Sequence, residues 1–287
     1  MLEFALGLIL FAAFVHAAWN FLTKSSHDSL AFMWWMYALG TLGYGLVILP
    51  MTGLYLAPAS VFPFIVSAVA ETGYVVTLTR GYGRGDLSLV YPISRGGAPI
   101  LTALFAGVLG ERLPILGLVG IIVSVVGVGI LSLSEVSPAK GGMSMLKRGS
   151  TWALASAVFI AVYSVSDDIV VVSTPPVIYI WWVFLSITVL TAPFVWRSSR
   201  VKSNLNEVRL NWRRIVVASI GSLMAYLAIL LALTLTSVSY VVTGRALSVL
   251  VAAVLGVLLL KEKFGKERTV GAALMIFGLA IIQLFGS

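Results

Sequence analysis

The sequence predicts an all-α integral membrane protein of ten transmembrane helices, arranged as two inverted five-helix repeats. Three observations predict it. Of 287 residues, 60% are hydrophobic and only 10% are charged, and the mean hydropathy is +1.04. A soluble domain of this size has too few polar side chains to cover itself, so the matching solvent is a bilayer. Second, ten apolar runs of about 20 residues, the length a bilayer needs, fall at 3–22, 30–50, 60–80, 86–109, 114–134, 150–172, 176–196, 214–234, 238–260 and 269–286. They are too long for barrel strands and do not alternate as such strands must. Third, the stretch from Asp86 to Leu131 returns from Ser237 to Ile282. Glu111, Gly120 and Gly127 match Glu262, Gly271 and Gly278 at identical spacings of nine and seven residues. Each copy also carries one arginine in its first apolar helix, Arg95 and Arg245, 16 and 17 residues before its glutamate. An internal duplication in a membrane chain points to a transporter.

Each element follows from the chain in order. The first run carries Glu3 and lacks a basic leader, so it reads as a retained spanning helix and not a signal peptide. The glycine-rich segment 81–85, GYGRG, neither follows a strand nor opens a phosphate-binding helix, and reads as a tight turn. Two connections are longer than the rest. Segment 135–149 contains Pro138, Gly141 and Gly142 and divides the chain into repeats at 1–134 and 150–287; segment 197–213 is rich in Arg, Lys and Asn. Five spans per half is an odd number. The second half then enters the membrane from the opposite side, which makes the halves an inverted repeat about an axis in the membrane plane.

Orientation follows from Lys and Arg. Sixteen of nineteen lie on the side reached after odd-numbered spans; Arg112 alone lies on the other side, and Arg95 and Arg245 lie within spans. The odd-loop side is therefore expected in the cytoplasm, with both termini outside, in a multi-pass protein of the cytoplasmic membrane. The net charge of +8 is explained by this bias, and no nucleic-acid partner is expected.

An ionised group at bilayer depth costs at least about 2.5 kcal/mol, so each one is a candidate for function. Arg95 lies in YPISRGGAP, on one face with Tyr91 and Ala98, among Pro92, Gly96, Gly97 and Pro99. That helix is expected to be kinked or locally opened there. Arg95 reads either as a substrate-binding or gating arginine or as one partner of a structural ion pair. Arg245, with Ser248 one turn on, lies near the repeat-equivalent position. Glu71 sits at the centre of span three beside Tyr74 and Thr77. It is a candidate proton carrier or the partner of an arginine; burial and a nearby arginine act on its proton in opposite directions. Asp167 shares a face with Tyr163, and Asp168 is expected at the solvated end of span six. His16, Trp19, Asn20 and Thr23 form a polar stripe on span one. His16 is a second candidate for proton coupling, and Trp19 with Asn20 suits a small polar solute. Tyr226 of span eight completes the aromatic candidates. The pairs Trp34–Trp35 and Trp181–Trp182 read as interface belt or packing residues.

There is no cysteine, and no HExxH, GxSxG or Walker sequence. Disulfides and thiolate metal sites are excluded, and no catalytic residue, metal or cofactor is assigned.

The HAAWN of span one, GDLSLVYPISRG at 85–96, LGERLPILGLVGIIVSVVGVGIL at 109–131 and RALSVLVAAVLGVLLLKEKF at 245–264 resemble the drug/metabolite transporter superfamily, specifically its EamA-type members. The resemblance covers both halves. It implies a ten-helix carrier with a central cavity between inverted halves, working by alternating access. Relatives handle amino acids, nucleobases, amines, sugar phosphates and drugs. Two departures stand out. Better-known ten-helix exporters of this kind keep their termini in the cytoplasm, the reverse of the charge count here. An acid often follows the span-nine arginine in similar sequences, whereas here Ala246 follows Arg245.

The expectation is a secondary carrier for a small polar or zwitterionic metabolite, amino-acid-like or an amine, acting as monomer or homodimer among membrane lipids. A carboxylate would meet Arg95 or Arg245. An ammonium would meet Glu71, Asp167 or the faces of Trp19, Tyr74 and Tyr163. The alternatives are a flippase for a lipid-linked sugar or headgroup and, from another class, an intramembrane enzyme or scaffold.

Overall fold

The computed structural model describes residues 2–84, 87–133, 142–197, 200–251 and 266–285. The helices are α1 (Leu2–Lys24), α2 (Ser29–Thr52), α3 (Val61–Tyr82), α4 (Leu87–Val108), α5 (Ile115–Leu133), α6 (Gly142–Val171), α7 (Pro176–Val195), α8 (Val201–Leu233), α9 (Val238–Arg245) and α10 (Lys266–Phe285). There is no strand among the described residues. α1, α2, α3, α6, α7 and α8 are each long and apolar enough to cross a membrane, and 115–130, 238–251 and 269–285 are shorter apolar helices. The outward face of the bundle is hydrocarbon: Leu46, Val108, Ile115 and Val172 are each at least 80% exposed. Such a surface is tolerated in lipid and not in water. Several threonine hydroxyls inside the spans are satisfied locally. Thr23, Thr41, Thr72 and Thr79 each donate to the carbonyl four residues back, at 2.8–2.9 Å, as polar groups at bilayer depth must.

Helix starts and stops follow local chemistry. Asp28 caps α2 by accepting from the Ala31 N–H at 3.2 Å. Pro58 opens a 3₁₀ turn, Pro58–Ser60, that feeds α3. Gly110, at φ 102°, makes the turn between α4 and α5 in a conformation that favours glycine.

The helices pair in a regular pattern. α5 lies along α10; α6 packs on α3 and α4; α1 packs on α8 and α9; α2 packs on α7 and α8; α3 also meets α7. The α5–α10 crossing depends on glycine. A Cβ built at Gly127 would stand 2.6 Å from the Gly271 carbonyl oxygen, and one at Gly120 would stand 2.7 Å from that of Gly278. Between these contacts Ser124 donates to the Met275 carbonyl at 3.3 Å. Small residues that bring backbones together drive helix association in lipid, where apolar side chains gain nothing by leaving it.

Three expectations are corrected. α4 runs unbroken through Pro92 and Pro99. Its neighbours hold it, because Gly96 and Gly97 admit Val128 of α5 and Ala157 of α6 against its backbone. The interruption falls instead in span nine, where α9 ends at Arg245 and the chain turns at Ala246 before resuming as helix over 247–251. Third, segment 197–213 is largely helix. α8 begins at Val201 and kinks at Asn211. Its inward face is polar: Asn204 accepts from the Trp35 indole at 2.7 Å, and Glu207 accepts from the Asp28 N–H at 3.0 Å and from the Asn211 amide at 2.7 Å. That stripe docks the segment on α2, so polarity here marks a buried seam and not a loop. Glu262 of the second repeat and residues 134–141, which hold the first part of the predicted link, lie outside the described residues, and the rest of that link, 142–149, is the start of α6.

Candidate functional site

Seven helices preceding α9, together with α9 itself, close around one buried polar chamber. α1 supplies His16 and Trp19, α2 Tyr37, α3 Glu71 and Tyr74, α4 Arg95, α6 Tyr163, α7 Val183, Phe184 and Ile187, α8 Ser222 and Tyr226, and α9 Arg245. No lining residue is more than 6% exposed. They leave about 290 Å³ unfilled, mostly in crevices narrower than a water molecule. A solute of amino-acid size enters only if side chains give way.

The two arginines are held alike. Arg95 Nη2 donates to the Tyr74 hydroxyl at 3.1 Å and Arg245 Nη2 to the Tyr163 hydroxyl at 3.0 Å. The two tyrosine rings meet edge to face, 5.8 Å between centroids. Each guanidinium also lies 5.6–5.7 Å from its tyrosine's ring centre, within cation–π range. Arg245 Nη2 also lies 3.5 Å from His16 Nε2, and His16 Nδ1 is 2.9 Å from the Ala12 carbonyl. The consistent tautomer puts the proton on Nδ1 and leaves Nε2 to face the guanidinium. Among the described residues no carboxylate lies within 4.0 Å of either arginine, so the expected alternative of a direct ion pair is not formed. Glu71 shares the chamber without contacting them at that range.

The structure thus brings together His16, Trp19, Glu71, Tyr74, Arg95, Tyr163, Tyr226 and Arg245. Three expected residues sit just outside. Asn20 is one turn from the chamber; its amide donates to the His16 carbonyl and its oxygen accepts from Tyr82 at 2.9 Å. Tyr91 is buried with its ring 5.7 Å from the Arg95 guanidinium, and its hydroxyl has no partner. Asp167 lies behind Tyr226, 1% exposed. It accepts from Ser67 at 2.5 Å, from Tyr179 at 2.6 Å and from Tyr226. Three hydroxyl donors complete its needs, so it anchors α3, α7 and α8 to α6. Asp168 is half-buried. Tyr37, Phe184 and Ser222 were missed by sequence reasoning. Tyr37, a phenol inside a span, was a usable signal; the aliphatic wall of α7 offered none.

A second, wider cavity of about 1330 Å³ opens at the end of the bundle that holds the α1–α2, α3–α4 and α7–α8 connections. Lys24, Arg80, Arg84, Arg197, Arg200 and Asp28 line it. It lies beyond the chamber along the same helices, with the Asn20–Tyr82 hydrogen bond between the two. Lys24 Nζ donates to the Tyr82 carbonyl at 2.6 Å in the same layer.

A multi-helix apolar bundle folded around a buried, charged chamber has the architecture of a membrane transport protein. Residues 147–284, the second half of the chain, match the EamA-like transporter family, part of the drug/metabolite transporter superfamily. A solved crystal structure described only as that of a protein aligns over 99% of this chain and 98% of its own at a TM-score of 0.75. At 19% identity that likeness shows the fold alone. No curated protein sequence matches the chain.

Proposed function

We propose that the protein is a secondary carrier that moves a small polar or zwitterionic metabolite across the cytoplasmic membrane by alternating access. The observation that carries this reading is the sealed chamber itself: two arginines and a glutamate, buried where helices of both halves meet. Ionisable groups at such depth are costly and mark solute pathways. Glu71 is the candidate proton carrier. His16, turned toward Arg245, is a poorer one, because a second cation there would face the first.

Alternating access asks for two exchangeable halves, and the contacts support that. A shift of 151 residues maps Gly120 to Gly271, Gly127 to Gly278 and Ser124 to Met275. Under that shift the Gly120–Gly278 contact becomes the Gly127–Gly271 contact, and the Ser124–Met275 bond maps onto its own site. The helix pairs behave the same way. α3–α6 exchanges with α1–α8, α4–α6 with α1–α9, and α2–α8 with α3–α7, while α2–α7 and α5–α10 map onto themselves. An approximate two-fold through the α5–α10 crossing, relating 1–134 to 150–287, accounts for these exchanges. If the charge bias sets orientation, the wide vestibule faces the cytoplasm, and this conformation is occluded, with the chamber sealed beneath an inward-facing vestibule.

The flippase alternative needs an opening from the chamber to lipid, and the burial of every lining residue argues against one in this state. Purified protein in proteoliposomes tests the choice. Flux of a soluble metabolite, lost in Arg95→Ala and Glu71→Gln, supports the carrier; translocation of labelled lipid with no soluble flux rejects it.

A further inference from the structure

The chamber's fully buried unpaired polar atoms all have one character. Among its lining residues three atoms lack a hydrogen-bond partner: Arg95 Nε, Arg245 Nε and Trp19 Nε1. All three are N–H donors, and none of the three residues is more than 4% exposed. No fully buried acceptor of the described lining is among them. A buried donor without an acceptor costs stability until something supplies one.

Charge points the same way. Two guanidiniums line the chamber against the single carboxylate of Glu71. Arginine does not lose its proton in proteins, so the described lining itself stays net positive whichever form Glu71 takes. The other nearby carboxylate, Asp167, lies behind the lining with its oxygens engaged by three hydroxyls; its charge, when ionised, offsets one guanidinium but it offers the arginine N–H groups no free acceptor. The vestibule repeats the imbalance: among the described residues five cationic side chains line it against Asp28, and Asp28 is engaged by Arg200 at 2.7 Å. A basic funnel above a basic chamber raises the local concentration of anions and repels amines.

Resting on the carrier reading above, we infer that the solute is a small organic anion with net negative charge. Its oxygens accept from the Arg95 and Arg245 Nε–H groups and from the Trp19 indole. This narrows the earlier range: amines are excluded, and neutral zwitterions are weak ligands. Each arginine offers an edge suited to a carboxylate, and with two such edges the ligand is acceptor-rich at both ends. Phosphate presents similar oxygens, so the shared chemistry is an oxyanion.

The test uses purified full-length protein and five probes: succinate, lactate, inorganic phosphate, alanine and choline. Binding is read from ligand-induced thermal stabilisation. At least one anion is expected to stabilise the protein, with alanine and choline weaker by about tenfold or more. Succinate ahead of phosphate would assign carboxylate as the natural group; the reverse would assign phosphate. Arg95→Gln and Arg245→Gln should each weaken anion binding by about 10- to 100-fold. Trp19→Phe keeps the ring and removes only the N–H, so it keeps the question answerable if an arginine variant fails to fold; a several-fold loss is expected there. Equal or tighter binding of choline or alanine overturns the inference, as does anion binding unchanged in Trp19→Phe and in whichever arginine variants fold. Absence of stabilisation by all three anions also overturns it. Flux separates the two claims. Anions that bind but never cross proteoliposomes sink the carrier and leave the anion site, whereas flux of choline alone sinks the anion site and leaves the carrier.

Discussion

Gly127→Ala is expected to destabilise the protein through the α5–α10 crossing. The added Cβ would stand 2.6 Å from the Gly271 carbonyl oxygen, 2.7 Å from the Met275 nitrogen and 2.9 Å from Met275 Cγ. Ordinary carbon contacts need about 3.5 Å, so the two helices must part by about 1 Å. The nearest atoms are backbone and cannot rotate away. Overpacking of this kind costs about 1–3 kcal/mol. At about 2–4 °C per kcal/mol for a chain of this size, Tm falls by about 2–12 °C. Gly129 supplies a control on the same helix, because a Cβ there meets nothing within 4 Å. Gly129→Ala should leave Tm unchanged or raise it slightly, since alanine is the better helix former. Gly278 is the counterpart of Gly127 under the 151-residue shift, and its Cβ would stand 2.5 Å from the Gly120 carbonyl oxygen; Gly278→Ala should show a loss similar to that of Gly127→Ala. The assay is thermal unfolding of the purified protein in one detergent. Equal Tm values for Gly127→Ala and Gly129→Ala would refute the close-crossing argument.

Asp167→Ala strands the hydroxyls of Ser67, Tyr179 and Tyr226 and should cost a few kcal/mol. Thermal unfolding checks it, and solute preference should be unchanged because Asp167 does not line the chamber. Glu207→Ala removes acceptors from the Asp28 N–H and from Asn211. A loss of about 1–3 kcal/mol is expected, read as a fall in Tm. Tyr82→Phe removes the hydrogen bond to Asn20 between vestibule and chamber; faster flux with little change in affinity is expected from initial-rate transport measurements. The chain has no cysteine, so Arg197→Cys gives a single label in the vestibule. A membrane-impermeant maleimide should reach it only from the cytoplasmic face; labelling of intact cells would reverse the orientation drawn from the charge count.

What the sequence made legible was what depth in a membrane penalises. Arg95, Arg245, Glu71 and His16 stood out because each is costly in hydrocarbon, and the structure gathers all four in one chamber. The paired glycines stood out because they recur at fixed spacing, and they meet at a backbone crossing. Local signals failed where tertiary contact decides. Pro92 and Pro99 forecast a kink or local opening in α4, yet α5 and α6 press against Gly96 and Gly97 and the helix runs on through both prolines. No residue of span nine announced the turn at Ala246. The charged run 197–213 looked like a loop because composition was read without its period; Asn204, Glu207 and Asn211 recur at helical spacing. Phe184 and Ile187 are apolar residues in an apolar span, and only the fold distinguishes a chamber wall from a lipid face.

Counterflow in proteoliposomes tests the central claim most directly. Vesicles loaded with the anion that most stabilises the purified protein are diluted into a trace of the same labelled anion. The account predicts transient accumulation that disappears in Arg95→Gln and Arg245→Gln and survives in Gly129→Ala. Accumulation that persists in both arginine variants, or none with any soluble anion or metabolite in a folded preparation, would contradict it.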